Sequence, residues 1–324
     1  MGFQTSVNLT SPVGTEGAKA SSNPLAMVIG PAGGFVADSV NGLNVARFAW
    51  VGSDSKTLTN YAPGGVPSVP DGWVLNEFQA NSSNLLSPNG INQLGGDAAI
   101  FNRGDFWARC GFQSATRGNK VFANLFSGAV IPGAAGSFPN YPSGVASTFQ
   151  ATFANLVMTV TSLTTGYIGI GHLVTGLGIP ANTRVVSQDS GTQGGAGTYN
   201  LSSPTVTAIT IGTAEACAST PADSIGGATV TATFATNVMT VTAVTDGTLV
   251  PGQLLTDSTS GLAAGTYIVN QLTGTTGGVG TYTVSTTPGT LASGTVNASA
   301  WIETPFFFQT PANVGELAII GTRN

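Results

Sequence analysis

A chain of 324 residues can bury full hydrophobic cores and hold two or three domains, yet this one carries only nine basic and fourteen acidic residues. Its net charge of −5 leaves no basic stripe for nucleic acid, and no run of about 18 apolar residues is present to cross a membrane as a helix. Gly is abundant, with 45 copies, but 41% of the residues are hydrophobic and recur in alternating runs, which reads as folded β-structure rather than low complexity.

The N-terminus lacks the basic and apolar regions of a secretory signal. Gly2 and Ser6 fit the short myristoylation pattern, but no polybasic patch supplies the second anchor that stable attachment needs, so acylation is not expected. Residues 1–30 read as an extended arm punctuated by Pro12 and Pro24, with Phe3, Val7 and Leu9 as apolar teeth. Such an arm holds its shape only by lying on this chain's own body or on a neighbour. Residues 43–51 (LNVARFAWV) alternate cleanly and predict one strand, and 73–80 (WVLNEFQA) predict another. Residues 99–130 predict a strand through Phe106, Ala108 and Cys110, a turn at 117–120, and a return strand through Val121, Ala123 and Leu125. Short strands between turns, with little helical periodicity, point to a sandwich or barrel.

The character changes after Val130. Residues 131–146 have a linker's composition, and an internal repeat follows. ATFANLVMTVTSLTTG from Ala151 returns as ATFATNVMTVTAVTDG from Ala232, a period of 81 that matches Phe153 to Phe234 and Gly171 to Gly252. After a two-residue insertion the period is 83, matching Gln188 to Gln271 and GGAGTYNLS to GGVGTYTVS. The expected organisation is two small β-domains, 147–213 and 229–300, joined by a linker at 214–228. Two copies are too few for a long solenoid. Between residues 131 and 300 only Arg184 is basic, so nearly all basic charge lies on the flanks, and an Arg-bearing flank is the expected docking face for a protein partner. Residues 301–324 bring back the first character, with Trp301 and Phe306–Phe308 and a closing strand at 317–320. An exposed aromatic tail of this kind is costly, so it is expected to pack into the N-terminal body. The fold class expected is all-β: a discontinuous sandwich or barrel base, 1–130 plus 301–324, with the two repeats inserted before its last strand.

Motifs for chemistry are missing. His172 is the single histidine and stands where the second copy has Gln253, which argues for a structural or surface role. No zinc, calcium, phosphate-loop or nucleophile-elbow pattern occurs. Asp97 and Asp105 could in principle serve as a glycosidase pair, but turn carboxylates pairing with Arg103 or Arg109 are the simpler expectation. Cys110 and Cys217 read as small buried hydrophobes made in a reducing compartment. Asn8 and Asn81 sit in glycosylation sequons that carry no meaning without a secretory route. The chain is expected to be no enzyme and to need no cofactor or metal.

Taken together, the MGFQT opening, ASSNP, VARFAWV, VPDGWV, GDFW, ANLFSGAV and the late GELAII resemble the structural cement (capsid decoration) proteins of tailed bacteriophages. The resemblance covers roughly 1–130 and 301–324, and the glycine- and threonine-rich repeats look like modules of phage tail fibres. It implies a non-enzymatic virion protein, assembled in the host cytoplasm, that binds the outside of the major capsid protein shell as a dimer or trimer and reinforces it. No nucleic-acid or membrane partner is implied. The capsid contacts expected are Phe3, Gln4, Val7 and Leu9 of the arm, with Arg47, Arg103 and Arg109 as docking charges. A second reading makes the chain a tail- or head-fibre protein whose repeats bind host cell-surface glycans.

Overall fold

The computed structural model describes residues 14–76, 91–92, 95–110, 113–137, 147–168, 172–180, 183–192, 194–204, 215–220, 226–257, 261–288 and 290–322. Among the described residues the regular elements are β-strands and one 3-10 turn at Pro63–Gly65. The fold is all-β, as the alternating patterns predict.

The first half supplies β1 (Ala26–Met27), β2 (Phe35–Ala37), β3 (Leu43–Asn44), β4 (Phe48–Val51), β5 (Thr57–Thr59) and β6 (Gly72–Val74). It continues with β7 (Ile91–Asn92), β8 (Asp97–Ala98) and β9 (Ile100–Arg103). Seven of these form a sheet in the order β1-β9-β6-β4-β5-β2-β8, while β3 and β7 pair separately. The stretch 43–51 is therefore two strands rather than one. Ala46 takes φ 59, a left-handed conformation that no ladder accommodates, and it divides them. Of the strand expected at 73–80, β6 ends at Val74 and residues 77–80 lie outside the described residues.

A second sheet holds β10 (Asp105–Arg109), β11 (Lys120–Asn124), β12 (Val130–Gly133) and two strands from the far end of the chain, β25 (Trp301–Phe308) and β26 (Leu317–Thr322). Its order is β10-β26-β25-β11-β12. Phe106 stands opposite Ile320, and Phe122 opposite Glu303. The hairpin expected over 99–130 does not form: β10 and β11 share a sheet, but both C-terminal strands lie between them. Alternation reveals a strand's two faces and says nothing about its neighbour. The chain also changes sheets inside this stretch, between β9 and β10, at Gly104 with φ 139. A Cβ there would meet Leu25 Cδ2 at 2.3 Å, so the crossing is closed to other residues. The inserted segment precedes two base strands, not the single last one expected.

The two sheets face each other across an aromatic core. Phe48 and Trp73 of the first sheet lie 5.2 Å apart, and Phe306 of the second packs 5.4 Å from Phe48. Trp73 stacks on Phe106 at 6.0 Å. Aromatic pairs at such spacings add to the burial of their large apolar areas. Cys110 is fully buried beside this core. The opposite face of the first sheet is covered by a smaller cluster around Phe35, Leu43, Leu58 and Ile100.

The repeats form two sheets of the same topology. The first holds β13 (Ser147–Ala154), β14 (Val157–Thr165), β15 (Leu173–Thr175), β16 (Val185–Gln188), β17 (Gly197–Leu201) and β18 (Glu215–Thr220). The second holds β19 (Gly227–Ala235), β20 (Val238–Gly247), β21 (Leu254–Asp257), β22 (Ile268–Gly274), β23 (Gly280–Val284) and β24 (Leu291–Ser299). The orders, β15-β18-β13-β14-β17-β16 and β21-β24-β19-β20-β23-β22, are the same path traced twice. Each repeat has its own core, one around Phe149, Phe153 and Tyr199, the other around Phe234, Met239 and Tyr282. Two stretches expected as linkers carry strands. Residues 130–133 form the edge strand β12, and Glu215–Thr220 is β18, pairing with β13, while β19 begins at Gly227.

The glycine hairpins show why these residues recur. Gln188 Nε2 donates to Ser190 O and Thr192 O while its Oε1 accepts from Gly194 N. Gln271 repeats this with Thr273 O, Thr275 O and Gly277 N. Inside each hairpin a buried tyrosine hydroxyl donates to a glycine carbonyl, Tyr199 to Gly195 at 2.6 Å and Tyr282 to Gly278 at 2.7 Å. Gly197 and Gly280, with φ 154 and 156, approach the facing carbonyls too closely for any Cβ.

Candidate docking site on the base

The described part of the arm, from Gly14 onward, is stitched to the free edge of β10. Gly17 N donates to Trp107 O, Trp107 N to Ala18 O, and Ala20 N to Asp105 O. Gly14 lies so close to the Trp107 indole that a Cβ would overlap it at 2.1 Å. Glu16 pairs with Arg109 at 2.8 Å, and Arg109 also donates to Gly315 O. The arm thus lies on the chain's own body over these residues and covers an edge that would otherwise be open to pairing. Phe3, Gln4, Val7 and Leu9 fall outside the described residues.

Asp105 occupies the crossing between the sheets and is 5% exposed. Its Oδ2 accepts from Ser21 Oγ at 2.6 Å and Asn23 Nδ2 at 2.5 Å, and its Oδ1 accepts from Gln309 Nε2 at 2.8 Å. The carboxylate therefore ties the arm to the end of β25 through neutral donors. The expected pairing with Arg103 or Arg109 is not what holds it. Asp97 lies exposed on β8 in the other sheet, so the two carboxylates do not form a pair for acid–base work.

Around Asp105 opens a cleft of about 590 Å³ lined by Asn23, Pro24, Arg103, Gly104, Arg117, Gly118, Phe307, Phe308, Gln309 and Thr322. Arg103 and Arg117 are both exposed. Phe306 and Phe308 point into the core at 1% exposure, while Phe307 faces outward beneath Lys120, whose ammonium sits 4.0 Å from the ring centroid. Lys120 is held in turn by Glu303 at 3.2 Å and by Thr304 O. Of the three arginines expected to dock, only Arg103 reaches this cleft. Arg109 lies four residues along β10, about 13 Å away by strand rise, and Arg47 is half-buried beside β4. Arg117, which the sequence reading passed over, joins Arg103. Its place in a turn flanking a strand was visible; its proximity to Arg103 was not.

A second contact region joins the repeats to the base. Arg184, buried in the first repeat, donates through Nη2 to Phe126 O and lies over the Tyr61 ring at 4.6 Å. Tyr61 donates to Asp38 at 3.1 Å, and burial with that neighbouring carboxylate pushes its pKa up to about 12. Leu173 of the first repeat and Val250 and Leu254 of the second join the base's core cluster. Gln253 is fully buried and bonds Val250 N, Gly226 O and Thr248 O, whereas His172 in the first copy is half-buried with its ring 5.9 Å from Tyr167. The two positions do structural work of different kinds, and among the described residues no group of three or more His, Cys, Asp or Glu could hold a metal ion.

No curated protein matches the chain. The family model of the XM1 gp53 minor capsid protein matches residues 3–187, which spans the arm, the first sheet, the cleft arginines and most of the first repeat. That is more than half of the chain, and the chain belongs to the XM1 gp53 minor capsid protein family, a structural protein of the phage virion that associates with capsid components.

Proposed function

We propose that this protein is a cement or decoration protein: its base binds the outer surface of the capsid shell, and its repeats project outward. The observation that carries the reading is the way both ends of the chain are sewn into one sheet. Arm residues 17–20 line β10, and β25 and β26 fill the space between β10 and β11. Each repeat carries its own core, and Leu173, Val250 and Leu254 seat the repeats on a base whose strands all come from the two flanks of the chain. Reinforcement needs no chemistry, only contact area on neighbouring shell subunits multiplied by symmetry. A dimer or trimer of the chain would serve that geometry. Purified protein mixed with expanded, undecorated capsids and sedimented should pellet in hundreds of copies per shell. Failure to co-sediment, or a stoichiometry of about six to eighteen copies, would remove the reading in favour of a tail or fibre protein.

The repeats support a second role. Thr152, Thr159 and Thr198 stand in one row across three strands, as do Thr233, Thr240, Thr281 and Thr273 across four in the second copy. A flat hydroxyl face of this kind suits weak binding of host cell-surface glycans. Deleting residues 147–299 should then reduce adsorption to host cells while capsid stability stays intact; unchanged adsorption would dismiss the role.

A further inference from the structure

We propose that the cleft at the crossing between the base sheets is a socket for a carboxylate-bearing peptide segment of the capsid shell, clamped by Arg103 and Arg117. The proposal rests on the base-to-shell reading above and names the chemistry of that contact. The other basic groups near it are already engaged: Arg109 with Glu16, and Lys120 with Glu303. Arg103 and Arg117 differ from them. Both guanidinium groups are exposed on the cleft, and neither has an ion-pair or hydrogen-bond partner among the described residues.

The cleft does carry one carboxylate, but Asp105 has both oxygens taken by Ser21, Asn23 and Gln309. That leaves two unspent positive charges in one concavity of a chain whose net charge is −5. Guanidinium groups bind carboxylates with a planar, two-bond geometry that adds direction to the attraction. A cleft of about 590 Å³ has room for several side chains of a partner. Pro24 and the Phe307 ring give apolar wall against which a peptide stem can lie, which a bare inorganic ion would leave uncovered. The fixed charge of Asp105 also disfavours a dianion such as phosphate more than a single carboxylate, because repulsion scales with the incoming charge.

The test uses the full chain and a fluorescein-labelled hexaglutamate peptide, read by fluorescence anisotropy. Wild-type protein should bind, and the affinity should weaken steeply between roughly 0.05 and 0.5 M salt. The double variant Arg103→Glu/Arg117→Glu should lose roughly tenfold or more, as expected for two charge-assisted contacts, while Lys56→Glu, beside β5 and separated from β9 by β6 and β4, should bind as wild type does. Both arginines are exposed, so the double variant should melt with the wild type. Undiminished binding by the double variant would overturn the socket, and so would equal displacement of the peptide by equimolar inorganic phosphate. In the capsid sedimentation assay, wild-type pelleting with loss in the double variant supports the socket. If both pellet equally, the socket is wrong and the base-to-shell reading stands. If the wild type binds hexaglutamate but does not pellet, the shell is not the partner and the assignment of the occupant falls with it.

Discussion

Replacing Phe306 by alanine should destabilise the base while leaving both repeats as stable as before. The ring is 1% exposed and packs 5.4 Å from Phe48 and 6.1 Å from Phe106, so it bridges the two sheets from a strand that enters only after residue 300. Removing a buried phenyl ring costs about 3–5 kcal/mol through lost burial and the cavity left behind. Against a total stability of about 5–15 kcal/mol, that is a large share. The assay is amide hydrogen exchange resolved by segment. Protection of Phe106 and Val121 should fall by a factor of about 10² to 4 × 10³, since each 1.4 kcal/mol is about tenfold. Amides of Met239 and Tyr282, in a repeat with its own core, should change little. If the base amides keep their protection, the C-terminal strands do not complete the base. If the repeats lose as much protection as the base, the chain folds as one cooperative unit and the two-part account is wrong.

Three further outcomes follow from single contacts. Tyr199→Phe and Tyr282→Phe should each cost about 1 kcal/mol in thermal melts, because each removes one buried hydroxyl-to-glycine bond of the same length class; costs that differ widely would show that the two hairpins are not equivalent. Arg184→Met should leave the first repeat folded but loosen its seat on the base, exposing residues near Phe126 to limited proteolysis. An unchanged digestion pattern would deny Arg184 that role. Burial raises the Cys110 thiol from 9.0 to about 11. The folded pKa lies above the unfolded one, so this stabilisation is complete below pH 9 and is lost as pH rises through about 11. Alkaline titration of Cys110→Ala should therefore show a shallower loss of stability over that window than the wild type, and parallel curves would refute it.

The sequence made some parts of this molecule readable and hid others for definite reasons. Matched motifs at periods of 81 and 83 fall on sheets with the same strand order, and Gln188 and Gln271 cap corresponding hairpins. The closing strands of the repeats were missed in the first copy because β18 and β24 share geometry but little sequence: EACAST pairs with β13 where GTVNAS pairs with β19. The hairpin expected at 99–130 failed because local alternation cannot see that residues some 180 positions later will enter between the two strands. Ala46 broke a clean pattern through a backbone angle that its side chain does not advertise. The cleft was half legible. Arg103 was among the three expected docking charges, but Arg117 and the neutral clamp on Asp105 came together only through contacts across long stretches of chain, as Gln309 does from 204 residues away.

The most direct test of the account is a reconstruction of decorated capsids at a resolution that shows the strands. The account predicts the base against the shell, with the Arg103–Arg117 cleft filled by shell density, and the hairpin tips at Gly194 and Gly277 pointing away from the particle. Density with the repeats against the shell and the cleft facing solvent would contradict it.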